Sequence, residues 1–302
     1  LSCFFQVQGQ ERDVPSPSDR VYKTAFELRH DNDFLLFTDR YYTTGSFIGI
    51  RSHDITRSDS VNKRQYRFFI QQEIYTPADL LEVSLKRLDR PYAGFIGISN
   101  GIMLTNNKRM IDASLLFGFS GPLSKAEQLQ SYFHESAAED SRIATWEGQI
   151  KNSLHTNLYL QYVREWKLEP NPFSVYMALN PIGALGTKDI YLQSDVAFYF
   201  GKRNPMNTSS AYQQLGDYAK EWFFSVRVGY RYIFHDALLE GHIVEDFSVF
   251  LKEPYQNLFL YNFEMFHHNK RNNYKLSYNF ATPATSGTKP HLYMVLSFMR
   301  SF

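Results

Sequence analysis

The chain has 302 residues with 32 Lys and Arg against 31 Asp and Glu, and its single cysteine is Cys3. A net charge of +1 gives no case for a nucleic-acid partner, and one thiol excludes a disulfide framework or a thiolate metal cage. Mean hydropathy is −0.39, and no run approaches the roughly 18 uninterrupted apolar residues of a membrane-spanning helix. A helical membrane protein is therefore excluded. A strand-built one is not, because alternation hides lipid-facing side chains in a polar average. The aromatic content of 17%, with 21 Tyr and 26 Phe, favours such a barrel over a soluble sandwich, since amphipathic rings suit its two interfacial girdles.

In chain order, Leu1-Ser2-Cys3-Phe4-Phe5 followed by Val7-Gln8-Gly9 is similar to the tail of a secretion signal. Residues 1–19 are therefore expected to be a signal remnant and tail, and 20–302 a single domain. No repeat, low-complexity tract or linker divides it. Twelve amphipathic segments follow, at about 22–32, 41–53, 64–74, 92–105, 109–119, 152–166, 173–184, 190–201, 222–235, 256–267, 272–282 and 289–302. The period of two is plainest in the ninth, where Phe224, Val226, Val228, Tyr230, Tyr232 and Phe234 share one face and Ser225, Arg227, Gly229 and Arg231 the other. Ile111, Ala113, Leu115, Phe117 and Phe119 behave alike in the fifth, and Phe259, Tyr261, Phe263 and Met265 in the tenth.

An even number of strands of about ten or more residues meets the requirement for closure. With a periplasmic N-terminus, the connections 33–40, 75–91, 120–151, 185–189, 236–255 and 283–288 face outward and include most of the long ones. The segment 202–221 is a long connection on the opposite side and breaks that rule. Residues 125–145 read as a helix in the third outer loop, with Ser124 and Glu127 as a capping pair. The expected fold is all-β: a twelve-stranded antiparallel transmembrane β-barrel carrying one short loop helix. The last segment places Leu292, Met294, Leu296, Phe298 and Phe302 on one face. A terminal strand closing on Phe resembles the assembly signature of bacterial outer-membrane barrels, so the expected location is the bacterial outer membrane.

Unusual polar residues converge on the outer rim from separate stretches. Asp31-Asn32-Asp33 ends the first strand, Asp39 to Gly45 opens the second, and Lys86, Arg87, Asp89 and Arg90 close the second outer loop. Gln130 and His134 sit one helical turn apart on the loop helix. Asn32-Asp33, Tyr42-Thr43 with Gly45, Tyr75-Thr76-Pro77, Asp89-Arg90, and Gln130 to His134 followed by Trp146 and Gln149-Ile150 resemble the lipid A 3′-O-deacylases of the outer membrane. The likeness runs from about Thr24 to Phe302. It implies a calcium-dependent esterase that removes the 3′-linked acyloxyacyl chain from lipid A of the outer leaflet. It implies further that His134 is the base activating water and that Asn32, Asp33, Thr43 and Gln130 support it, with Asp33 as the calcium ligand. Lys86, Arg87 and Arg90 stand as candidate substrate-binding residues, although the family's basic residues do not align cleanly with them. The carboxylate expected after the histidine falls at Glu139 or Asp140 with altered spacing.

The residue types suit that chemistry. Ester hydrolysis needs a base titrating near neutrality and a cation or donors where the oxyanion develops. Calcium takes oxygen ligands, and Lys or Arg hold phosphates. Plainer readings compete: a surface histidine, an Asx-rich turn at 31–33, and a solvated Arg90. Arg29, Arg227 and Arg231 read as lumenal residues paired with Glu27 or Glu73. Gly118 to Pro122 misses the nucleophile-elbow spacing, and His134-Glu135 lacks the second histidine of a zinc protease. The alternatives are an outer-membrane phospholipase with a serine nucleophile and a catalytically silent barrel. Oligomeric state is not legible.

Overall fold

The computed structural model describes residues 22–33, 40–137, 143–169, 174–216 and 219–302. The expected leader at 1–19 and the positions Glu139 and Asp140 lie outside these residues. Twelve strands run β1 Thr24–Asn32, β2 Tyr41–His53, β3 Lys63–Thr76, β4 Ala93–Thr105, β5 Arg109–Ser120, β6 Ser153–Lys167, β7 Tyr176–Gly186, β8 Asp189–Lys202, β9 Glu221–Asp236, β10 Asn257–Asn269, β11 Asn272–Ala281 and β12 His291–Ser301. Each pairs antiparallel with its chain neighbour, and β1 closes on β12 from Ala25↔Ser301 to Asn32↔Met294. Closure leaves no unpaired sheet edge, which a hydrocarbon environment requires.

Alternation sorts the walls as the sequence pattern demands. Phe224, Val226, Val228, Tyr230 and Phe234 of β9 are exposed on the outside, while Phe223, Ser225, Gly229 and Ile233 are buried within. The lumen is filled by charge pairs. Arg51 meets Glu27 at 2.6 Å with both side chains almost fully buried. Arg227 bridges Asp195 at 2.9 Å and Glu264 at 3.4 Å. Arg29, Arg227 and Arg231 do face the lumen, but their partners differ from those expected. Arg29 pairs with Asp31, Arg231 bonds Gln193, and Glu73 pairs with Lys188. Register decides this: Ala197 opposes Arg227 on β8 and Asn262 opposes it on β10, so Asp195 and Glu264 are its diagonal neighbours. Burial works against the Lys188 charge at the β7–β8 turn, yet Asp189 and Glu73 hold its ammonium well above the usual lysine range.

Both ends of the lumen are stoppered. The β8–β9 connection folds into the barrel and buries Met206, Tyr212 and Leu215. There Gln213 accepts a hydrogen bond from Arg51 at 2.5 Å, and Gln214 accepts one from Gln65 at 2.8 Å. The long connection on the short-turn side is thus an internal plug. At the long-loop end, Leu238 and Leu239 of the short helix α2 (Ala237–Glu240) are buried over the lumen. A cavity of about 580 Å³ of mixed polar and apolar lining remains in the lumen, from Arg227 and Glu264 up to Leu238, Thr285 and Lys289.

The other helix, α1 (Ala126–Ala137), lies in the connection from β5 to β6. Ser124 accepts from the Ala126 amide at 3.3 Å and donates to the Gly121 carbonyl at 2.6 Å. Ser124 thus supports the helix start, and among the described residues no reciprocal bond from Glu127 completes a capping box. The orientation has a direct test, since outer-membrane barrels turn their longer loops outward. An epitope inserted at Lys86 is expected to be reached by antibody on whole cells and one at Lys108 is not; the reverse result would invert the topology.

Candidate functional site

Strand parity puts Asn32 on the lipid-facing side of the wall. Phe26 and Leu28 of β1 point outward and are exposed, and Asn32 shares their face, while Glu27 and Asp31 are buried inward. On the outside Asn32 Nδ2 lies 3.4 Å from Thr44 Oγ1. The β2–β3 register shifts between Tyr42 and Thr44, so Thr43 is the extra residue of a β-bulge. The bulge splits the Tyr42-Thr43 pair. Tyr42 enters the lumen and donates to Asp31 at 2.9 Å, whereas Thr43 Oγ1 meets Thr76 Oγ1 at 2.7 Å. Gly45 makes this possible, because a Cβ there would stand 1.9 Å from the Tyr42 hydroxyl. Asp33 closes the same rim: it is fully buried, its amide donates to the Thr43 carbonyl at 3.4 Å, and its Oδ2 accepts from the Arg40 amide at 2.8 Å.

Ile74 and Thr76 have the outward parity of Phe68 and Ile70, yet both are buried. The cover comes from α1 and Trp146, which pack with Ile74, Tyr92 and Ala126. At Gly94 a Cβ would come within 2.3 Å of the Ala126 methyl, so glycine sets how closely α1 approaches β4. Trp146 stacks on Tyr92 with ring centroids 5.1 Å apart. Along α1, Ala126 and Gln130 are buried and His134 is half-buried, a stripe at i, i+4, i+8 turned to the barrel, while Leu129, Tyr132 and Phe133 are exposed. Asn32, Thr44 and Ile74 occupy successive strands in register, about 10 Å across at the usual strand spacing. α1 and Trp146 thus pack over this stretch of the outer wall and bury it.

The Trp146 indole donates to Gln130 Oε1 at 2.9 Å. An indole N–H can only donate, so the Gln130 amide is fixed with its oxygen toward Trp146. Its Nε2 is then a buried donor without an acceptor among the described residues. Such a group costs about 1–3 kcal/mol unless a bound molecule satisfies it. The side-chain oxygens of Asp33, Thr43 and Thr76 are hard donors, of the kind calcium takes. Among the described residues no three His, Cys, Asp or Glu side chains gather as a metal cage. A calcium ion there would draw its remaining oxygens from backbone carbonyls and water.

The basic candidates divide. Lys86 and Arg87 are exposed on the loop whose Leu80 carbonyl accepts from the Thr145 amide, beside Trp146, and Arg87 pairs with Glu82 at 2.7 Å. Arg90 is buried on the lumenal side, its guanidinium 4.6 Å from the Tyr75 ring centroid and 3.4 Å from the Leu238 carbonyl. Pro91 follows it, and the chain there turns inward beneath α2. Thr76 and Trp146 contact the candidates Thr43 and Gln130 although the sequence assigned them no role; the outward parity of Ile74 and Thr76 was the available signal. An apolar groove of about 670 Å³ begins near His30 and Ser46, one outward residue below Asn32 and Thr44. It crosses the wall by Leu28 and Leu296 to Trp222.

A closed twelve-stranded barrel with an apolar outer belt and a lumen filled with charge pairs is an outer-membrane protein. A sequence profile described as "Outer membrane protein LpxR" matches residues 1–302, and the chain belongs to that family. Among solved structures, LpxR from Salmonella typhimurium superposes with a TM-score of 0.74 at 16% identity, covering 92% of this chain and 100% of that one. The beta domain of the Bordetella autotransporter Brka (TM-score 0.46, 9% identity, 94% and 100% covered) and an outer membrane channel from Pseudomonas putida F1 (0.46, 11%, 97% and 100%) are more remote barrels. No curated protein sequence matches.

Proposed function

We propose that this protein is a lipid A deacylase that hydrolyses the ester of the 3′-linked acyloxyacyl chain, with His134 as the base for water and calcium held at Asp33. The observation that carries the reading is the orientation of Gln130: a buried amide donor held by Trp146 where α1 packs on the lipid-facing wall. The long-loop end faces the cell exterior in this reading, where lipid A forms the leaflet beside α1. The groove below Asn32 gives an acyl chain an apolar path along the wall. Lys86 and Arg87 stand on the solvent side to meet phosphate, while Arg90, on the lumenal side, takes no part.

The imidazole of His134 takes a proton from water as the water oxygen attacks the ester carbonyl carbon. Gln130 Nε2 donates to the oxyanion that forms on the carbonyl oxygen. The C–O bond to the sugar then breaks, and His134 returns its proton to the departing oxygen, leaving a free fatty acid and a sugar hydroxyl. Calcium, when bound, polarises the ester carbonyl. Thr43, hydrogen-bonded to Thr76, and Asn32 keep the rim polar where water must enter. The test is mass spectrometry of lipid A incubated with the purified barrel in detergent and of lipid A from cells that express it. Loss of one 3′ acyloxyacyl chain is expected. Intact lipid A alongside cleaved phospholipid would replace this reading with the phospholipase alternative.

A further inference from the structure

At the opposite end of the barrel the outer wall carries arginines that the deacylase reading does not use. Arg64, Leu104, Ile111 and Tyr162 stand in one row across β3, β4, β5 and β6, each directly opposite the next. One step nearer the turns, Arg109 and Arg164 oppose each other on β5 and β6, on the same outward face. Like charges directly opposite across two strands are destabilising unless something between them is negative. Among the described residues, neither makes an ion pair. Arg57, in the β2–β3 turn, joins Arg64 and Arg109 around a groove of about 400 Å³ whose membrane-side wall is Leu104, Ile111 and Tyr162. Lys63 also borders it, but its ammonium turns inward to the Leu215 carbonyl at 3.4 Å.

No carboxylate lines this groove. The nearby Asp54 is engaged by its own turn, accepting from the Thr56 hydroxyl at 2.8 Å and the Arg57 amide at 3.1 Å. Asp59 is likewise taken up by the Val61 and Asn62 amides, each at 2.7 Å. Arg64 Nε is buried without a hydrogen-bond acceptor among the described residues. A guanidinium in that state wants an anion, and its planar fork fits phosphate oxygens.

We propose that this groove is a binding site for an anionic glycerophospholipid of the inner leaflet, its phosphate held by Arg57, Arg64 and Arg109 and its acyl chains laid on Leu104, Ile111 and Tyr162. The two halves of the groove select that class. A soluble phosphate would leave the apolar wall unused, and a zwitterionic lipid would bring its own cation to a site already crowded with cations. Leu104 and Ile111 are 39% and 44% exposed and continue the lipid-facing belt, so the acyl chains would stay in the bilayer. Basic pockets at membrane interfaces recognise acidic headgroups on these terms.

The test is native mass spectrometry of the full barrel released from nanodiscs containing equal phosphatidylglycerol and phosphatidylcholine. Phosphatidylglycerol is expected to be retained in preference, and Arg64→Gln with Arg109→Gln should reduce that preference roughly tenfold. Lys125→Gln with Lys151→Gln, which removes the same charge from the long-loop end, should leave it unchanged. Heat-dependent gel mobility confirms that each variant is a folded barrel. Equal retention of the two lipids by the unaltered protein, or an undiminished preference in the arginine variant, overturns the site. Displacement of the lipid by millimolar inorganic phosphate would make it a soluble-anion site instead.

Discussion

Replacing His134 with alanine is expected to slow release of the 3′ acyl chain by about 10²–10⁴-fold, the usual loss when a general base is removed, while the barrel folds as before. His134 lies on α1, outside the strand ladder. The sharper comparison is with Ser120, because the structure contains a serine–histidine contact that a serine hydrolase would need: Ser120 Oγ lies 2.9 Å from His155 Nε2. Both residues are almost completely buried, and the other ring nitrogen of His155 faces the Thr187 carbonyl at 3.0 Å rather than a carboxylate. His155 has the inward parity of its strand, with Leu154 exposed beside it. That pair fastens the start of the third loop to the neighbouring turn. Ser120→Ala should therefore leave the deacylation rate within a few-fold and lower the unfolding temperature, since one buried imidazole nitrogen loses its partner. Normal deacylation by folded His134→Ala, or abolished deacylation by folded Ser120→Ala, would return the serine mechanism to first place.

The strands were legible because lipid on one side and a packed lumen on the other enforce the period of two. β9 and β12 could be read side chain by side chain, and the expected ends fall within a few residues of the observed ones throughout. The chain's parity also held the outward placement of the candidate Asn32, which continues the outward series of Phe26 and Leu28. What parity could not give was the bulge at Thr43, which sends adjacent residues to opposite sides of the wall. Nor could it give the placement of α1 outside the barrel, which depends on the missing side chain at Gly94. Arg90 shows the same limit. Its neighbours in sequence are loop residues, and only the fold of the second loop beneath Leu238 takes it into the lumen. Lumenal partners such as Arg227 with Asp195 depend on register between distant segments. The plug at Gln213 and Gln214 looked from sequence like an exception to loop length.

Removal of calcium is expected to lower deacylation by about 10²-fold or more, the scale on which loss of oxyanion stabilisation is felt. Calcium should restore the rate more fully than magnesium, which demands a tight octahedral shell that one buried carboxylate and a few hydroxyls do not preform. Asp33 gives the prediction a residue. Its Oδ2 accepts from the Arg40 amide and its own amide donates to the Thr43 carbonyl, so Asp33 is tied to the start of β2. Asp33→Asn retains an oxygen that can accept from Arg40 and removes only the charge, which separates metal binding from loop support. That variant should need a higher calcium concentration to reach a given rate, with its gel mobility and unfolding temperature close to those of the unaltered protein. Asp33→Ala should lose both the calcium response and part of the stability of the connection. Full activity after exhaustive chelation would remove calcium from the reaction and leave Asp33 as a structural cap. An Asp33→Asn barrel with an unchanged calcium requirement would move the ion to oxygens other than those of Asp33.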